Sequence, residues 1–260
     1  MSNNPLLADK VVLVSGATQG IGAAVVRAAV DAGARVAFSG RDPERGKRLQ
    51  AEFDGVAPVR FIPTDLADPG AATASVEATI AEFGRIDALV NAAGITTRGT
   101  LLDTTPELFD QHVAVNLRAP FFTMAAAVRD MTTREAPGTI VNIITMSSHG
   151  GQPFLAPYSA TKAGLAGLTR NAAHAHRWDR IRINGINIGW AQTEGEDEIQ
   201  RRFHDADDTW LEKANASVPM GKLGQPDEIA DFVVFLLSDR SGVVTGSIID
   251  WDQNVVGAYD

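Results

Sequence analysis

The stretch Val11–Ser39, VVLVSGATQGIGAAVVRAAVDAGARVAFS, decides the fold. It opens on an unbroken apolar run, Val11 to Val14, as expected of a parallel strand covered on both faces. Glycines follow at 16, 20 and 22, then an Ala/Val-rich helical segment that ends near Ala32-Gly33. A second apolar run, Arg35 to Ser39, comes at once. Strand, glycine turn, helix and strand in so short a span form a βαβ unit, whose crossover is right-handed in nearly every case. The glycines allow a tight turn, close approach of backbone to a pyrophosphate, and close helix–strand packing, with the helix N-terminus facing the anion. Their spacing is G-x-x-x-G-x-G, not G-x-G-x-x-G. Glycines at such a turn can also be purely structural, but inside a βαβ unit they point to a nucleotide site.

The alternation continues along the chain. Val59–Ile62 reads as a third strand, Ala71–Phe83 as a helix and Ile86–Val90 as a fourth strand, ending in Asn91-Ala-Ala-Gly94. Two helical stretches, Thr105–Asn116 and Pro120–Arg134, precede a fifth strand at Thr139–Ile144. A helix over Tyr158–Trp178, a strand over Ile181–Ile188, a helix over Asp227–Leu237 and a strand over Ser247–Asp250 complete the order. We expect one α/β domain over residues 1–260, a doubly wound parallel sheet of about seven strands with ligands at its carboxyl edge. Residues 190–218 break the rhythm. They are rich in acids, with Phe203, His204 and Trp210 among them, and read either as a substrate lid or as a solvated acidic helix pair.

Composition narrows the classes. The 260 residues carry a net charge of −9 and contain no cysteine, which excludes disulfides, thiolate nucleophiles and cysteine metal sites. No metal site is expected. Without a basic stripe, nucleic-acid binding is not expected either. Apolar runs stop short of a membrane span, and MSNNPLLADK has no signal-peptide pattern. The expectation is a cytoplasmic protein with no membrane partner.

The chemistry concentrates in Gly138–Leu165, GTIVNIITMSSHGGQPFLAPYSATKAGL. Tyr158 and Lys162 are four apart and share one helix face. A free phenol is a poor base, and a neighbouring ammonium favours the phenolate, so the pair suits proton transfer. Alone, Tyr-x-x-x-Lys is more often a surface tyrosine beside a solvated lysine. The hydroxyl-rich turn upstream and the glycine turn change that balance.

Together these residues resemble the short-chain dehydrogenase/reductase family over roughly Lys10 to Asp250, through Ser15–Gly22, Asp65-Leu66, Asn91–Gly94, Asn116, Tyr158-x-x-x-Lys162, and Asn187–Gly189 with Thr193. The resemblance implies an NAD(P)-dependent oxidoreductase acting on a carbonyl or secondary alcohol. It implies Tyr158 as general acid/base, Lys162 on the nicotinamide ribose, and Asn116 beside a proton-relay water. Gly16, Thr18, Gln19, Gly20, Ile21 and Gly22 would hold the pyrophosphate. Asp65 and Leu66 would border the adenine, Asn91 and Gly94 the adenosine ribose region, and Ile188, Gly189 and Thr193 the nicotinamide amide. Three positions depart from the family pattern. Thr145 stands where a serine is usual, thirteen residues before the tyrosine, with Ser147 as the alternative donor. Ile188 replaces a proline, which predicts a less rigid turn. Trp251 and Asp252 replace small residues, which points to altered subunit contacts or a neighbour's pocket.

For the cofactor, Gly40 occupies the place of the acid that binds an NAD ribose, with Arg41 adjacent and Arg45 one turn on. This favours NADP, while Asp42 keeps NAD open. Gln152, His149, Gln192 and Glu194 suggest a small-molecule substrate rich in hydroxyls, a sugar or polyol. A ketoacyl-carrier or other ketone reductase, and a catalytically silent nucleotide-binding scaffold, are the alternatives. The helices Pro120–Arg134 and Tyr158–Trp178 are dense in small residues (Ala125, Ala126, Ala127, Ala160, Ala163, Gly164, Ala166, Gly167), and for these helices the resemblance implies packing across a twofold axis, so a homotetramer is expected.

Overall fold

The computed structural model describes residues 5–257; the N-terminal residues read for a leader pattern, and the ends of the 1–260 domain span, lie partly outside them. Seven parallel strands form one sheet in the order β3-β2-β1-β4-β5-β6-β7. They are β1 Val11–Ser15, β2 Arg35–Gly40, β3 Val59–Pro63, β4 Ala88–Asn91, β5 Gly138–Ile143, β6 Ile181–Ile188 and β7 Ile248–Trp251. The order reverses between β1 and β4, the place where open sheets of this kind receive ligands at the carboxyl edge.

The helices are α1 Gly20–Asp31, α2 Pro43–Ala51, α3 Ala71–Phe83, α4 Pro106–Val113, α5 Ala119–Thr133, α6 Ala156–His176, α7 Glu194–Phe203, α8 Trp210–Ala216 and α9 Pro226–Leu237. Successive strand residues serve opposite faces. Val12, Val14, Val36 and Phe38 join α1 and α9 in one core layer. Leu13, Ala37, Leu89 and Ile140 join α3, α5 and α6 in the other. This double burial is why the strands read as continuous apolar runs.

Three elements differ from the expectation. Helix α2 is not apparent in the apolar pattern, because Leu49 is its only large buried side chain. Its start is nonetheless written in Asp42-Pro43, an N-cap followed by a proline in the first turn. The two stretches expected between β4 and β5 are one helical rod, α4 and α5, joined by a π turn at Ala114–Arg118. Pro120 has no N–H to give the carbonyl of Asn116, so the regular ladder cannot close there. The third is the acidic segment, which contains α7 and α8. No helix among the described residues is long and apolar enough to cross a membrane.

Candidate active site

The glycine turn after β1 is built for close approach. Gly16 has φ +72°, and a Cβ there would stand 2.3 Å from the Cα of Ala93 in the turn after β4. A Cβ on Gly22 would stand 2.4 Å from the carbonyl oxygen of Gly16. Gln19 provides no side-chain cap for α1, and among the described residues no backbone acceptor takes the N–H groups of residues 18–22. Unspent donors at a helix N-terminus attract an anion. Thr18, Gln19, Gly20 and Ile21 line this end, and Thr193, which caps α7, lies 3.8 Å from where a Gly20 Cβ would be. The donors present fit a dinucleotide pyrophosphate.

At the end of β2, a Cβ on Gly40 would stand 2.6 Å from Cγ2 of Thr18, so an acid has no room there. Arg41 is exposed. Asp42 accepts the N–H groups of Glu44 and Arg45, each at 3.0 Å. The bond from Arg45 leads in holding its carboxyl below the usual range. Arg45 in turn faces Asp42 at 3.4 Å and Glu194 at 3.6 Å. Asp65 is exposed and accepts from the N–H of Ala67, while Leu66 is buried. The Asn91 side chain turns inward, donating to Asn142 Oδ1 at 2.8 Å and accepting from Thr123 at 2.7 Å. Only its main chain is left to border a cofactor.

The proton-handling residues meet where β5 ends. Lys162 is buried and donates to the carbonyl oxygen of Ile143 at 2.8 Å, with Nζ 5.9 Å from the Tyr158 ring centroid. Asn116 lies in the π turn, fully buried. Its Oδ1 accepts from Ile95 N at 2.9 Å, and its Nδ2 donates to Ile95 O at 3.1 Å. A Cβ on Gly94 would stand 3.5 Å from Lys162 Nζ and 3.6 Å from Asn116 Oδ1, so these three residues share one wall. Thr145 donates to Ser147 Oγ at 3.3 Å, and its hydroxyl is an influence that lowers the pKa of the Tyr158 phenol. Ser147 donates onward to Gln152 Oε1 at 2.5 Å.

Burial pushes the Tyr158 phenol up to about 12, partly offset by the Thr145 hydrogen bond. Burial also pulls the Lys162 ammonium down to about 8. The spacing alone predicts a phenol lowered by its ammonium neighbour. In the structure partial burial is the leading influence instead, and it holds the phenol above its ordinary value and protonated. Two adjacent hydroxyls, one holding a transferable proton, can receive a substrate oxygen.

Ile188 is buried and pairs with Trp251 in the β6–β7 register. The Gly189 N–H donates to Trp251 O at 3.1 Å, and Asp252 Oδ1 sits 2.0 Å from where a Gly189 Cβ would be. Strand pairing therefore holds the turn that lacks proline. Trp251 packs on Gly224 of its own chain.

The polar residues expected to gather for substrate are dispersed. Glu194 faces Arg45, Gln192 accepts from Gln225 at 3.2 Å, and His149 lies 3.2 Å from Asp250. Gln152 alone joins the site, through Ser147. In their place stand Arg98, from the turn after β4, and Glu196 of α7. Both act electrostatically on Tyr158, Glu196 raising its pKa and Arg98 lowering it. Arg98 was legible only as a cation four residues beyond Gly94, at the carboxyl edge. Among the described residues no group of acids and histidines is arranged to hold a metal ion.

Comparison with known proteins agrees with this architecture. A family model described as enoyl-(acyl carrier protein) reductase matches residues 16–253. An uncharacterised oxidoreductase of Thermotoga maritima is 37% identical, with 94% of this chain and 96% of that protein covered. An L-rhamnose 1-dehydrogenase (NAD(P)(+)) of Azotobacter vinelandii is 36% identical over 93% of this chain and 94% of its own. Carbonyl reductase [NADPH] 2 of Sus scrofa is 35% identical over 95% and 96%. A solved structure from Sinorhizobium meliloti, described as a short-chain alcohol dehydrogenase, superposes with a TM-score of 0.88 at 31% identity, covering 97% of this chain and 98% of that one. The reversal of strand order, the glycine turn and these full-length likenesses agree: the chain belongs to the short-chain dehydrogenase/reductase family, oxidoreductases that act on alcohol and carbonyl groups with a nicotinamide cofactor.

Proposed function

We propose that the protein interconverts a secondary alcohol and a carbonyl on a polyhydroxylated substrate of the sugar or polyol class, using NADP. The observation that carries this reading is the chain of polar groups at the end of β5 beside Tyr158, Thr145 to Ser147 at 3.3 Å and Ser147 to Gln152 at 2.5 Å, with the charges of Arg98 and Glu196 acting on the phenol. A mouth of this polarity suits a substrate with several hydroxyls, because unmatched buried polar groups discriminate strongly against apolar ones. The resemblance to an L-rhamnose dehydrogenase is consistent with it.

In this proposal Tyr158 passes its proton to the substrate oxygen and Thr145 donates the second hydrogen bond, with Ser147 holding Thr145 in place. Lys162 and Asn116 form the wall against the nicotinamide ribose. The bound nicotinamide supplies or accepts the hydride. The preference for NADP follows from the end of β2. Thr18 fills the place of an acid at residue 40, Asp42 is spent on capping α2, and exposed Arg41 stands ready for a 2′-phosphate. We place α7 as a mobile cover and assign the protein to the cytoplasm, a reducing setting that a chain without cysteine suits.

The test is turnover of aldoses, alditols and simple ketones with each cofactor, read as absorbance of the reduced nicotinamide. Activity confined to lipophilic ketones or acyl thioesters would overturn the sugar assignment. For the cofactor, Arg41→Ala should weaken NADP binding by about 1.5–3 kcal/mol, the scale of a hydrogen bond to a charged group, and leave NAD nearly unchanged. Equal loss for both would defeat it.

A further inference from the structure

We propose that Arg98 is the receptor for a carboxylate on the substrate, so that the preferred substrate is a polyhydroxy acid, not a neutral sugar. This rests on the reading of Tyr158 and Thr145 as the reacting centre, and it names the chemistry beside them.

The guanidinium is incompletely satisfied by the protein. One amino group donates to Thr96 O at 3.3 Å and the other lies 3.2 Å from His204 Nε2. Nε is buried with no partner among the described residues. A guanidinium offers five N–H donors in a planar fork and accepts nothing. Other arginines of this chain are matched by carboxylates: Arg27 by Glu52, Arg85 by Asp87, Arg134 by Asp130 and Arg201 by Asp197, all within 2.9 Å. Arg98 has no such ion pair among the described residues.

Its surroundings make that gap costly. The Cζ atom lies 5.3 Å from the Phe154 ring centroid and 6.0 Å from that of Phe203, so aromatic faces replace water around the charge. Burial accordingly lowers the arginine's pKa. A partly desolvated cation with unused donors is stabilised by an anion that completes it, and the planar fork matches a carboxylate. The position is near the reacting centre, because Gly99, next to Arg98, donates to Phe154 O at 2.9 Å and accepts from Ala156 N at 3.0 Å at the start of α6, two residues before Tyr158.

Glu196 sets the valence and the rest of the substrate. Its Oε1 already accepts from Trp190 Nε1 and Gln200 Nε2, each at 2.8 Å. It lies within the field of Arg98 without forming an ion pair. A dianionic phosphate would bring two charges to one guanidinium beside this carboxylate, whereas a monoanionic carboxylate would not. The remaining Glu196 oxygen is an acceptor suited to a substrate hydroxyl. One cation and one acceptor near the reacting hydroxyls describe an acid carrying further hydroxyl groups.

The experiment uses the protein loaded with NADP and sets of five- and six-carbon aldonates against the alditols of the same length. Binding is read by thermal shift and calorimetry, and turnover by nicotinamide absorbance. In the unaltered protein at least one aldonate should bind about tenfold or more tightly than its alditol. Arg98→Met should lose about 10–100-fold for aldonates and distinctly less for alditols, so that the aldonate preference of the unaltered protein disappears, as expected for loss of a charge-assisted contact. Arg98→Lys, which keeps the charge and is the milder change for folding, should retain an intermediate preference. Alditols binding as well as aldonates, no aldonate binding at all, a preference for sugar phosphates, or an equal loss for acids and neutrals in the arginine variants would each overturn the proposal. Aldonate binding that depends on Arg98 without hydride transfer would keep the carboxylate receptor and remove the reading of the reacting centre.

Discussion

Tyr158 is held neutral by burial, with Thr145 as its hydroxyl partner, and this makes the division of labour testable. Tyr158→Phe removes the transferable proton and should abolish most turnover while cofactor binding, followed by fluorescence, is kept. Loss of a donor to a developing alkoxide costs roughly 10²–10³ in turnover, so Thr145→Val should fall by that order. Thr145→Ser keeps the hydroxyl and should retain most activity, and Ser147→Ala should be mild. A severe Ser147→Ala beside a neutral Thr145→Val would contradict the geometry. Lys162 carries a stability signature as well. Its folded pKa is about 8 against 10.5 for the free group, so between these values the unfolded chain binds more protons and stability rises with pH. Tyr158, raised from 10.0 to about 12, has the opposite sign, and stability falls as pH climbs between its two values. Urea midpoints of the cofactor-free protein should therefore rise between about pH 8 and 10, by at most on the order of 2–3 kcal/mol. Lys162→Met should flatten that rise. An unchanged slope in the variant would show that Lys162 is not the titrating group.

Among the elements, α7 and α8 behave differently although both lie in the acidic segment. No residue of α7 is buried, whereas Trp210 of α8 is buried with Ala214 and Leu223 in a small cluster of its own. Residues before α7 are pinned, with Gln192 N and Gly224 N exchanging bonds of 2.9 Å with Gly224 O and Trp190 O. In the lid we propose, the moving part is α7, whose N-cap Thr193 borders the glycine turn. Hydrogen exchange should find α7 amides fast and α8 amides slower, as the burial difference dictates. Adding NADP should slow α7 most. Uniform exchange across residues 190–218, unaffected by cofactor, would remove the lid.

At the scale of the whole molecule, the faces of α4, α5 and α6 are the candidates for assembly. Phe109, Phe121 and Phe122 are exposed large apolar side chains there. On α6, Ala160, Ala163, Gly164 and Gly167 are exposed, a smooth strip that lets a second helix approach. Ala126, Ala127 and Ala166, counted with them from sequence, are instead spent in the chain's own core. Exposed apolar side chains on α4 and α5 beside a strip of small residues on α6 favour a self-complementary twofold contact. We expect a homotetramer, with light scattering giving about four times the 27.6 kDa chain mass. Phe121→Glu with Phe122→Glu should lower that mass while leaving the far-ultraviolet dichroism intact. A monomer at micromolar concentration would refute the assembly.

Sequence alone determined what local pattern encodes. Apolar runs buried on two faces gave the parallel strands, alternation gave the doubly wound sheet, and glycine spacing gave the cradle after β1. Tyr158, Lys162 and Asn116 were legible because a recurring chemistry requires them in that order. Tertiary structure decided what depends on neighbours distant in the chain. The phenol's proton affinity follows from desolvation by the surrounding elements, which helical spacing does not encode. Asn91 turned inward because Asn142 on the adjacent strand and Thr123 on α5 complete its hydrogen bonds. Arg98 became a substrate residue only when Phe154, Phe203 and His204, over fifty residues away at the nearest, closed around a guanidinium for which the chain provides no carboxylate partner among the described residues.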